Sequence, residues 1–267
     1  MCYVNGLQVS YQTYIKLKGQ QKKVAPTQQH LAERPAVKGF DYGNWLVIKP
    51  TNNDWDIATM QWGFLPNYIK NETQKNAFRF GYKDANQKFH TPYTTLNAIG
   101  NELLKPGKIF REAALHRRCL VLSSGFFEYR HIHPISKKTG KPLKTAVKYP
   151  YFIGVKNEPV FFMAGIYETN TDVETVETYD SFAIVTTQAN KLMAQIHATK
   201  LRMPVILNET LATQWIDTSI DETIIEQLAQ HQINSNLLHA YPIAKNFIET
   251  QDISPFNYGS ELPALKY

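Results

Sequence analysis

Short apolar runs separated by polar breaks dominate the chain, and most of them are too short for helices. Residues 45–50 (WLVIKP) and 58–66 (ATMQWGFLP) each predict a strand that ends at a proline or turn. Residues 118–129 (RCLVLSSGFFEY) predict two strands separated by a Ser-Ser-Gly break. Further strands are predicted at 151–155, 160–167, 181–187 and 239–243.

Helical patterns are fewer and lie between these strands. We predict a helix within the first 35 residues and another over 190–197. Asn208 is a suitable N-cap for a helix over 209–216, and a further helix is predicted over 221–230. Because strands and helices do not alternate regularly, we expect an α+β fold with a largely antiparallel β core and peripheral helices.

The domain organisation follows from composition along the chain. We expect one domain over residues 1–267, with an irregular tail from about residue 232. Residues 67–95 are polar and rich in Lys, Asn and Gln, which predicts an insertion at the surface.

Overall composition narrows the class of protein. Hydrophobic residues make up 43% and charged residues 19%, as in soluble globular proteins. The N-terminus has no signal-peptide pattern and no stretch is long and apolar enough to span a membrane, so we expect a cytoplasmic monomer that makes no membrane contact. The net charge of +6 permits a polyanionic partner without requiring one.

The eight histidines are scattered, so we expect neither a metal nor a cofactor.

Cys2 is the first candidate for chemistry. The two cysteines, Cys2 and Cys119, cannot form a disulfide framework, which suits a reducing compartment. A small second residue permits removal of Met1, and the mature chain would then begin with a 1,2-aminothiol. Its amine and thiol have ordinary pKa values of about 8 and about 8.5, so both have a nucleophilic fraction near neutral pH. The amine can form an imine with an aldehyde, and the thiol can close a five-membered thiazolidine. A cysteine at position 2 can equally be incidental.

Four further sequence segments form a recognisable pattern together with Cys2. They are WGFLP (62–66), LNAIGNE (96–102), FREA with RRCLVLSSGFFEY (110–129), and IVTTQAN followed by IH and RMPVIL (184–207). In order and spacing these segments, with Cys2, resemble the SRAP family, the SOS response-associated peptidase proteins. The resemblance runs from residue 2 to about residue 217. It implies a protein that shields abasic sites in single-stranded DNA by a covalent thiazolidine crosslink, and that associates with the nucleoid when bound to DNA.

The resemblance also implies roles for individual residues. Cys2 would be the nucleophile, and Asn97 would hydrogen-bond and orient the N-terminal residue. Glu128 would move protons to and from the amine and the sugar hydroxyl, and His197 would assist opening of the sugar ring. Each has a simpler alternative: Glu128 could pair with a lysine of the basic stretch 130–148, His197 could be a core histidine, and Asn97 could be a turn residue.

Asn76 competes with Asn97 for the same role, because both precede an alanine after WGFLP. Asn97 is preferred because Glu102 and the FREA segment follow it, as in the family pattern.

The sequence departs from the family where DNA would bind. Val4 stands where the family has an arginine shortly after the cysteine, and Ile99 replaces the arginine of its NAR motif. Candidate DNA contacts are two aromatic residues for base stacking, three arginines for phosphates and one threonine that matches a family position facing the site. They are Trp62, Tyr68, Arg111, Arg118, Thr186 and Arg202. Trp62 is equally compatible with a place in the core.

Three functional hypotheses remain open. The first is the covalent, lyase-like shield of abasic sites. The second is an N-terminal-cysteine peptidase or amidohydrolase, including removal of its own leading residues, which would turn over. The third is a single-stranded DNA binding module in which the cysteine has no role, although the missing arginines leave it fewer charges for phosphates.

Overall fold

The computed structural model describes residues 2–52, 54–136 and 138–266, so Met1 and Lys137 of the basic stretch lie outside the described residues. Strands dominate. In chain order they are β1 Val4–Gln8, β2 Tyr14–Leu17, β3 Gln20–Lys23, β4 Glu33–Lys38, β5 Asn44–Pro50, β6 Trp55–Trp62, β7 Tyr82–Lys83, β8 Phe89–His90, β9 Asn97–Ile99, β10 Arg118–Ser123, β11 Gly125–Ile132, β12 Val147–Val155, β13 Phe161–Thr171, β14 Thr178–Gln188, β15 Arg202–Pro204, β16 Ile206–Leu207 and β17 Leu238–Pro242. The α-helices are α1 Gln29–Ala32, α2 Glu72–Phe80, α3 Arg111–His116, α4 Met193–Ile196, α5 Glu209–Trp215, α6 Glu222–Ala229 and α7 Phe247–Thr250.

The larger sheet closes on itself as a small barrel. Its order is β15-β14-β6-β5-β10-β13-β16, and β14 also pairs with β13, which completes the circle. The β14–β6 pairing is parallel, with Ser181 opposite Gln61, whereas the other pairings around the circle are antiparallel. Apolar side chains from β5, β10, β13 and β14 form the interior core.

A second sheet of five strands lies beside the barrel, in the order β17-β12-β11-β1-β4, and every pairing in it is antiparallel. The chain crosses from barrel to sheet between β10 and β11, where Ser124 alone separates the two strands and its N–H donates to the carbonyl of Gly6. The second sheet places the start of β1 beside the middle of β11, with Val4 opposite Phe127.

The helices pack around this β core, as the sequence predicts. Asn208 caps α5 by accepting from the N–H of Leu211, and Asp221 caps α6 in the same way. Trp215 of α5 is fully buried, and its indole N–H donates to the carbonyls of Cys119 and Gly165. The α+β fold with a largely antiparallel core is therefore confirmed.

One local expectation needs correction. The helix expected in the first 35 residues is only the single turn α1, and most of the lysine-rich stretch before it forms the hairpin β2–β3. Residues 67–95 carry α2 and the small hairpin β7–β8. The tail contains β17 and α7 before it becomes irregular. Within the described residues, no helix has both the length and the apolar character needed to cross a bilayer.

Candidate functional site

Cys2 lies two residues before the start of β1, and its side chain is fully buried. Its sulfur lies 3.5 Å from the carbonyl oxygen of Val4. The next residue is also held, because the carbonyl of Tyr3 accepts a hydrogen bond of 2.8 Å from the N–H of Gly39. The pairing of β1 with β11 and β4 therefore fixes the position of Cys2.

Asn97 reaches Cys2 from the barrel. Its side-chain amide nitrogen donates a hydrogen bond of 2.9 Å to the backbone carbonyl of Cys2. Asn97 begins β9, a three-residue strand that runs parallel to β14. The other side-chain atom, Oδ1, is buried and has no hydrogen-bond partner among the described residues. An acceptor in this position is available to a group that enters the site.

The chain just after β9 is held tightly as well. A Cβ added at Gly100 would lie 2.0 Å from the carbonyl oxygen of Ala229, so only glycine fits this close approach to α6. Thr186 of β14 donates from its hydroxyl to the carbonyl of Ala98. Both contacts fix the strand that presents Asn97.

Glu128 comes from the middle of β11 and is almost completely buried. Side chains alternate along a strand, so Glu128 shares a face with Phe126, whereas Phe127 and Tyr129 point to the other side and pack against Phe247. Burial raises the pKa of the Glu128 carboxyl to about 8. A carboxyl group with this pKa can both give and take a proton near neutral pH.

His197 directly follows α4 and faces Glu128. Its Nε2 lies 3.8 Å from Oε2 of Glu128, and its Nδ1 lies 3.1 Å from the carbonyl oxygen of Arg202. A carbonyl only accepts, so Nδ1 carries a proton and Nε2 of the neutral ring presents its lone pair towards Glu128. Burial lowers the pKa of His197, which favours this neutral form.

Burial also determines the protonation state of the nucleophilic thiol. Desolvation, followed by the negative charge of Glu128, raises the pKa of the Cys2 thiol far above its ordinary value. The sulfur is therefore a protonated thiol at neutral pH, and it needs a base at the moment of reaction. The site combines a thiol, a carboxyl group and an imidazole in a desolvated space, with an amide that fixes the nucleophile's backbone.

The four residues predicted to carry chemistry thus meet in one place. They come from four separate segments of the chain, and the two sheets bring them together. Asn76, the competing candidate, lies exposed on α2 and donates to Glu72 at 3.2 Å.

The predicted DNA contacts divide into two groups. Tyr68 is 56% exposed, and Arg111 and Arg202 are partly exposed. Arg111 forms an ion pair of 2.9 Å with Glu222. The guanidinium of Arg202 donates to the carbonyl oxygen of Thr186 at 2.6 Å. These three side chains lie at the surface, where a ligand can reach them.

The other three predicted contacts lie inside the protein. Trp62 is 1% exposed and its indole N–H donates to the carbonyl of Leu96, which matches its alternative place in the core. Arg118 is 2% exposed, and its guanidinium donates to the four backbone carbonyls of Ala114, Leu115, Trp215 and Asp217. Thr186 is fully buried. This geometry favours structural roles for all three residues.

Sequence reasoning missed two features of the site. The backbone carbonyl of Arg202 selects the tautomer of His197, and no side-chain pattern reveals a carbonyl contact. Tyr3 packs against the exposed ring of Phe40 at 4.9 Å, beside the nucleophile. The available signal for Tyr3 is its position directly after Cys2.

Comparison with known proteins identifies the family of this chain. The family SRAP, described as SOS response associated peptidase, matches residues 8–249. The chain therefore belongs to the SRAP family, although the matched range begins after Cys2.

Individual relatives extend over most of the chain. It is 26% identical over 213 residues to abasic site processing protein YoqW of Bacillus subtilis, which covers 79% of this chain and 80% of that protein. It is 28% identical over 200 residues to abasic site processing protein YMR114C of Saccharomyces cerevisiae, covering 72% of this chain and 44% of that protein. A crystal structure of a protein from Bacteroides thetaiotaomicron superposes with a TM-score of 0.73 and 29% identity, covering 93% of this chain and 94% of that one.

Proposed function

We propose that this chain captures abasic sites in single-stranded DNA covalently, through the amine and thiol of Cys2 once Met1 has been removed. The observation that carries the proposal is the convergence of Asn97, Glu128 and His197 on Cys2. Membership of the SRAP family and similarity to proteins named for abasic site processing support the same conclusion.

The first step is formation of an imine. The ring-opened sugar carries an aldehyde at C1′, and the neutral amine of Cys2 adds to its carbon to give a carbinolamine. The hydrogen bond from Asn97 to the Cys2 carbonyl holds the amine in place, and Oδ1 of Asn97 is free to accept from its N–H. The carboxyl of Glu128 then donates a proton so that the hydroxyl leaves as water.

The second step closes the ring. The Cys2 thiol adds to the imine carbon, its proton passes to Glu128 or to the imine nitrogen, and a carbon–sulfur bond forms. The net change is aldehyde plus aminothiol to thiazolidine plus one water, with no oxidation or reduction. A carboxyl group with a pKa of about 8 suits both proton transfers.

His197 prepares the substrate. An abasic sugar is mainly a closed hemiacetal, and opening it requires loss of a proton from the hydroxyl at C1′. The lone pair on Nε2 of His197, next to Glu128, is placed to accept that proton.

DNA binding at this site rests on few charges. The side chains of Val4 and Ile99 carry no charge to pair with phosphates, so we propose that Arg202, Arg111 and the exposed ring of Tyr68 position the strand. Weak phosphate contact predicts a shallow dependence of affinity on salt, since each neutralised phosphate of a single strand contributes a slope of about 0.7.

A peptidase mechanism is less well supported by the same residues. Peptide cleavage by cysteine uses a thiolate, and burial of Cys2 keeps the thiol protonated. Aldehyde capture begins at the amine and does not need a thiolate at rest.

The test is a denaturing gel. Met1-free protein is mixed with a single-stranded oligonucleotide that carries one abasic site, with intact uracil DNA and Cys2→Ala protein as controls. A shifted band that requires both Cys2 and the abasic site supports covalent capture. Turnover of amide substrates without a band supports the peptidase hypothesis, and reversible binding alone supports the simple binding module.

A further inference from the structure

The last residues that the structure describes return to the neighbourhood of the reactive site. Residues 258–266 follow the range that matches the family, which ends at residue 249. Leu262 and Leu265 pack against the main hydrophobic core, and the hydroxyl of Tyr258 donates to the carbonyl of Ile243 at 2.7 Å. This segment therefore has a defined position on the protein. We call residues 258–266 the strap.

The strap crosses the face of the second sheet that carries Glu128. Arg130 lies two residues after Glu128 on β11, so both side chains point to the same face. Tyr149 of β12 is the strand partner of Arg130 and shares that face. The hydroxyl of Tyr149 donates to the carboxylate of Glu261 at 3.1 Å, and the guanidinium of Arg130 donates to the carbonyl of Pro263. The strap thus crosses β12 and then β11, next to the reactive carboxyl group.

Beyond β11 the strap reaches α4, where it pairs with the side chain of Gln195. Nε2 of Gln195 donates to the carbonyl of Lys266 at 2.6 Å, and the N–H of Lys266 donates to Oε1 of Gln195 at 2.8 Å. Nε2 also donates to the carbonyl of Lys191 at 3.2 Å. One side-chain amide therefore joins the strap to the segment that contains α4.

The helix α4 depends on such contacts because it is a single turn. Its four residues form too few hydrogen bonds for a stable isolated helix, so tertiary contacts set its position. The buried side chains of Met193 and Ile196 hold its inner side, and the partly exposed Gln195 holds its outer side. His197 follows at once, and its N–H donates to the carbonyl of Met193 at 2.7 Å. A shift of the turn would therefore move the imidazole.

The orientation of the imidazole is sensitive to such a shift. Nδ1 of His197 lies 3.1 Å from the carbonyl oxygen of Arg202, and Nε2 lies 3.8 Å from Glu128. These two partners belong to β15 and β11, which do not move with α4. A displacement of about 1 Å would lengthen the Nδ1 contact beyond hydrogen-bonding distance. The ring would then lose the acceptor that keeps the proton on Nδ1.

We propose that Gln195 is a positioning residue, which uses the strap to hold α4 so that the lone pair on Nε2 of His197 faces the reactive site. The inference rests on the proposed function for the use of this lone pair, but the orientation itself is measurable without DNA. It also gives the segment after the family match a role in the reaction with closed abasic sugars.

Two variants release α4 from the strap by different routes. Gln195→Met keeps the length and the helix propensity of the side chain and removes both hydrogen bonds to Lys266. A chain that ends at Tyr258 lacks most of the strap and keeps every strand and α-helix that the structure describes. Gln227→Met, at an exposed glutamine of α6, is the matched control.

The first measurement is the tautomer of His197 in the free protein. Nitrogen-15 NMR at a pH where the ring is neutral distinguishes a proton on Nδ1 from a proton on Nε2, and loss of the signals in His197→Gln assigns them. Wild type and Gln227→Met are expected to carry the proton on Nδ1. Gln195→Met and the shortened chain are expected to show a mixture of the two tautomers.

The second measurement compares capture of an abasic oligonucleotide with capture of a simple aldehyde. Both variants should slow the first reaction by about threefold or more, because the base for ring opening is misplaced. The aldehyde needs no ring opening, so its rate should stay at the wild-type level. Gln195→Met in the shortened chain should cause no additional loss, since both changes remove the same contact.

Three results would overturn the inference. The first is a wild-type tautomer of His197 in Gln195→Met, the variant that also decides if the shortened chain does not fold. The second is an equal loss of rate with both substrates. The third is additive losses in the combined variant, which would show that Gln195 acts without the strap. Failure of the proposed function gives a different result: no adduct from the wild type, with the tautomer still reporting on the strap.

Discussion

The side-chain amide of Asn97 donates a hydrogen bond of 2.9 Å to the backbone carbonyl of Cys2, and this bond joins the barrel to the segment that leads into β1 of the neighbouring sheet. The two residues are 95 positions apart. One hydrogen bond thereby fixes the backbone of the nucleophile against a strand that is itself held by β14.

Loss of this bond should slow capture without unfolding the protein. Asn97→Ala is expected to reduce the rate of adduct formation by about tenfold or more. The lost hydrogen bond contributes about 1 kcal/mol, and a misplaced nucleophile raises the activation free energy of capture further. Rates from a quenched time course on denaturing gels measure the effect. Asn236→Ala, at an exposed asparagine, is the control and should react at the wild-type rate. An unchanged rate in Asn97→Ala would remove Asn97 from the positioning of Cys2.

Glu128 should leave a signature in the pH dependence of stability. Its pKa is about 8 in the folded protein against an ordinary value of 4.5, so the folded state binds the proton more tightly than the unfolded state. The corresponding stability is complete below about pH 4.5 and is lost as pH rises through about 8. Glu128→Gln should therefore melt at a higher temperature than wild type at pH 9, and the difference should shrink towards pH 5. Parallel melting curves for both proteins would contradict the raised pKa.

Glu128→Gln should also slow covalent capture of the abasic site. Glu128→Gln keeps the shape of the side chain and removes its proton transfer, so capture should slow by about a hundredfold or more. A variant that is more stable at high pH and yet slower separates the reactive role of Glu128 from a structural one. Equal rates would exclude Glu128 as the proton donor.

Loss of His197 should slow the reaction with closed abasic sugars more than the reaction with free aldehydes. His197→Gln is expected to slow capture of an abasic site, because ring opening loses the base at Nε2. Reaction with a simple aldehyde needs no ring opening and should proceed at nearly the wild-type rate. Mass spectrometry of both reactions provides the comparison. A similar loss with both substrates would assign His197 to a later step.

Arg118 should behave as a structural residue. Its guanidinium donates to four buried carbonyls, so Arg118→Lys should lower the free energy of unfolding by about 2–4 kcal/mol. Chemical denaturation measures this change, with Arg111→Lys at a partly exposed site as the control. The salt dependence of DNA binding by folded Arg118→Lys should equal that of wild type. A salt dependence shallower than that of the wild type would show that Arg118 contacts DNA phosphates.

Much of the site is predictable because its residues lie in recognisable local patterns. The sequence around Asn97 and Glu128 separates them from look-alikes such as Asn76, and the caps Asn208 and Asp221 follow from side-chain chemistry alone. Closure of the barrel is not predictable in this way, because the parallel pairing of β14 with β6 joins segments far apart in sequence.

The error in the first 35 residues has a specific physical origin. The hairpin β2–β3 turns at Lys18 and Gly19, both at positive φ, and Ile15 and Leu17 alternate with exposed residues. That alternation and the glycine were available signals for a hairpin. For Trp62 the sequence leaves base stacking and the core equally open, and the structure decides for the core, where its indole N–H donates to the backbone carbonyl of Leu96.

The intact mass of the adduct tests the central claim most directly. Protein confirmed by mass to begin at Cys2 is mixed with an abasic oligonucleotide, without any reducing agent. We predict a stable species whose mass is the sum of the two components minus one water, and its absence with Cys2→Ala or Cys2→Ser. No mass gain from protein that begins at Cys2 would contradict covalent capture by this chain.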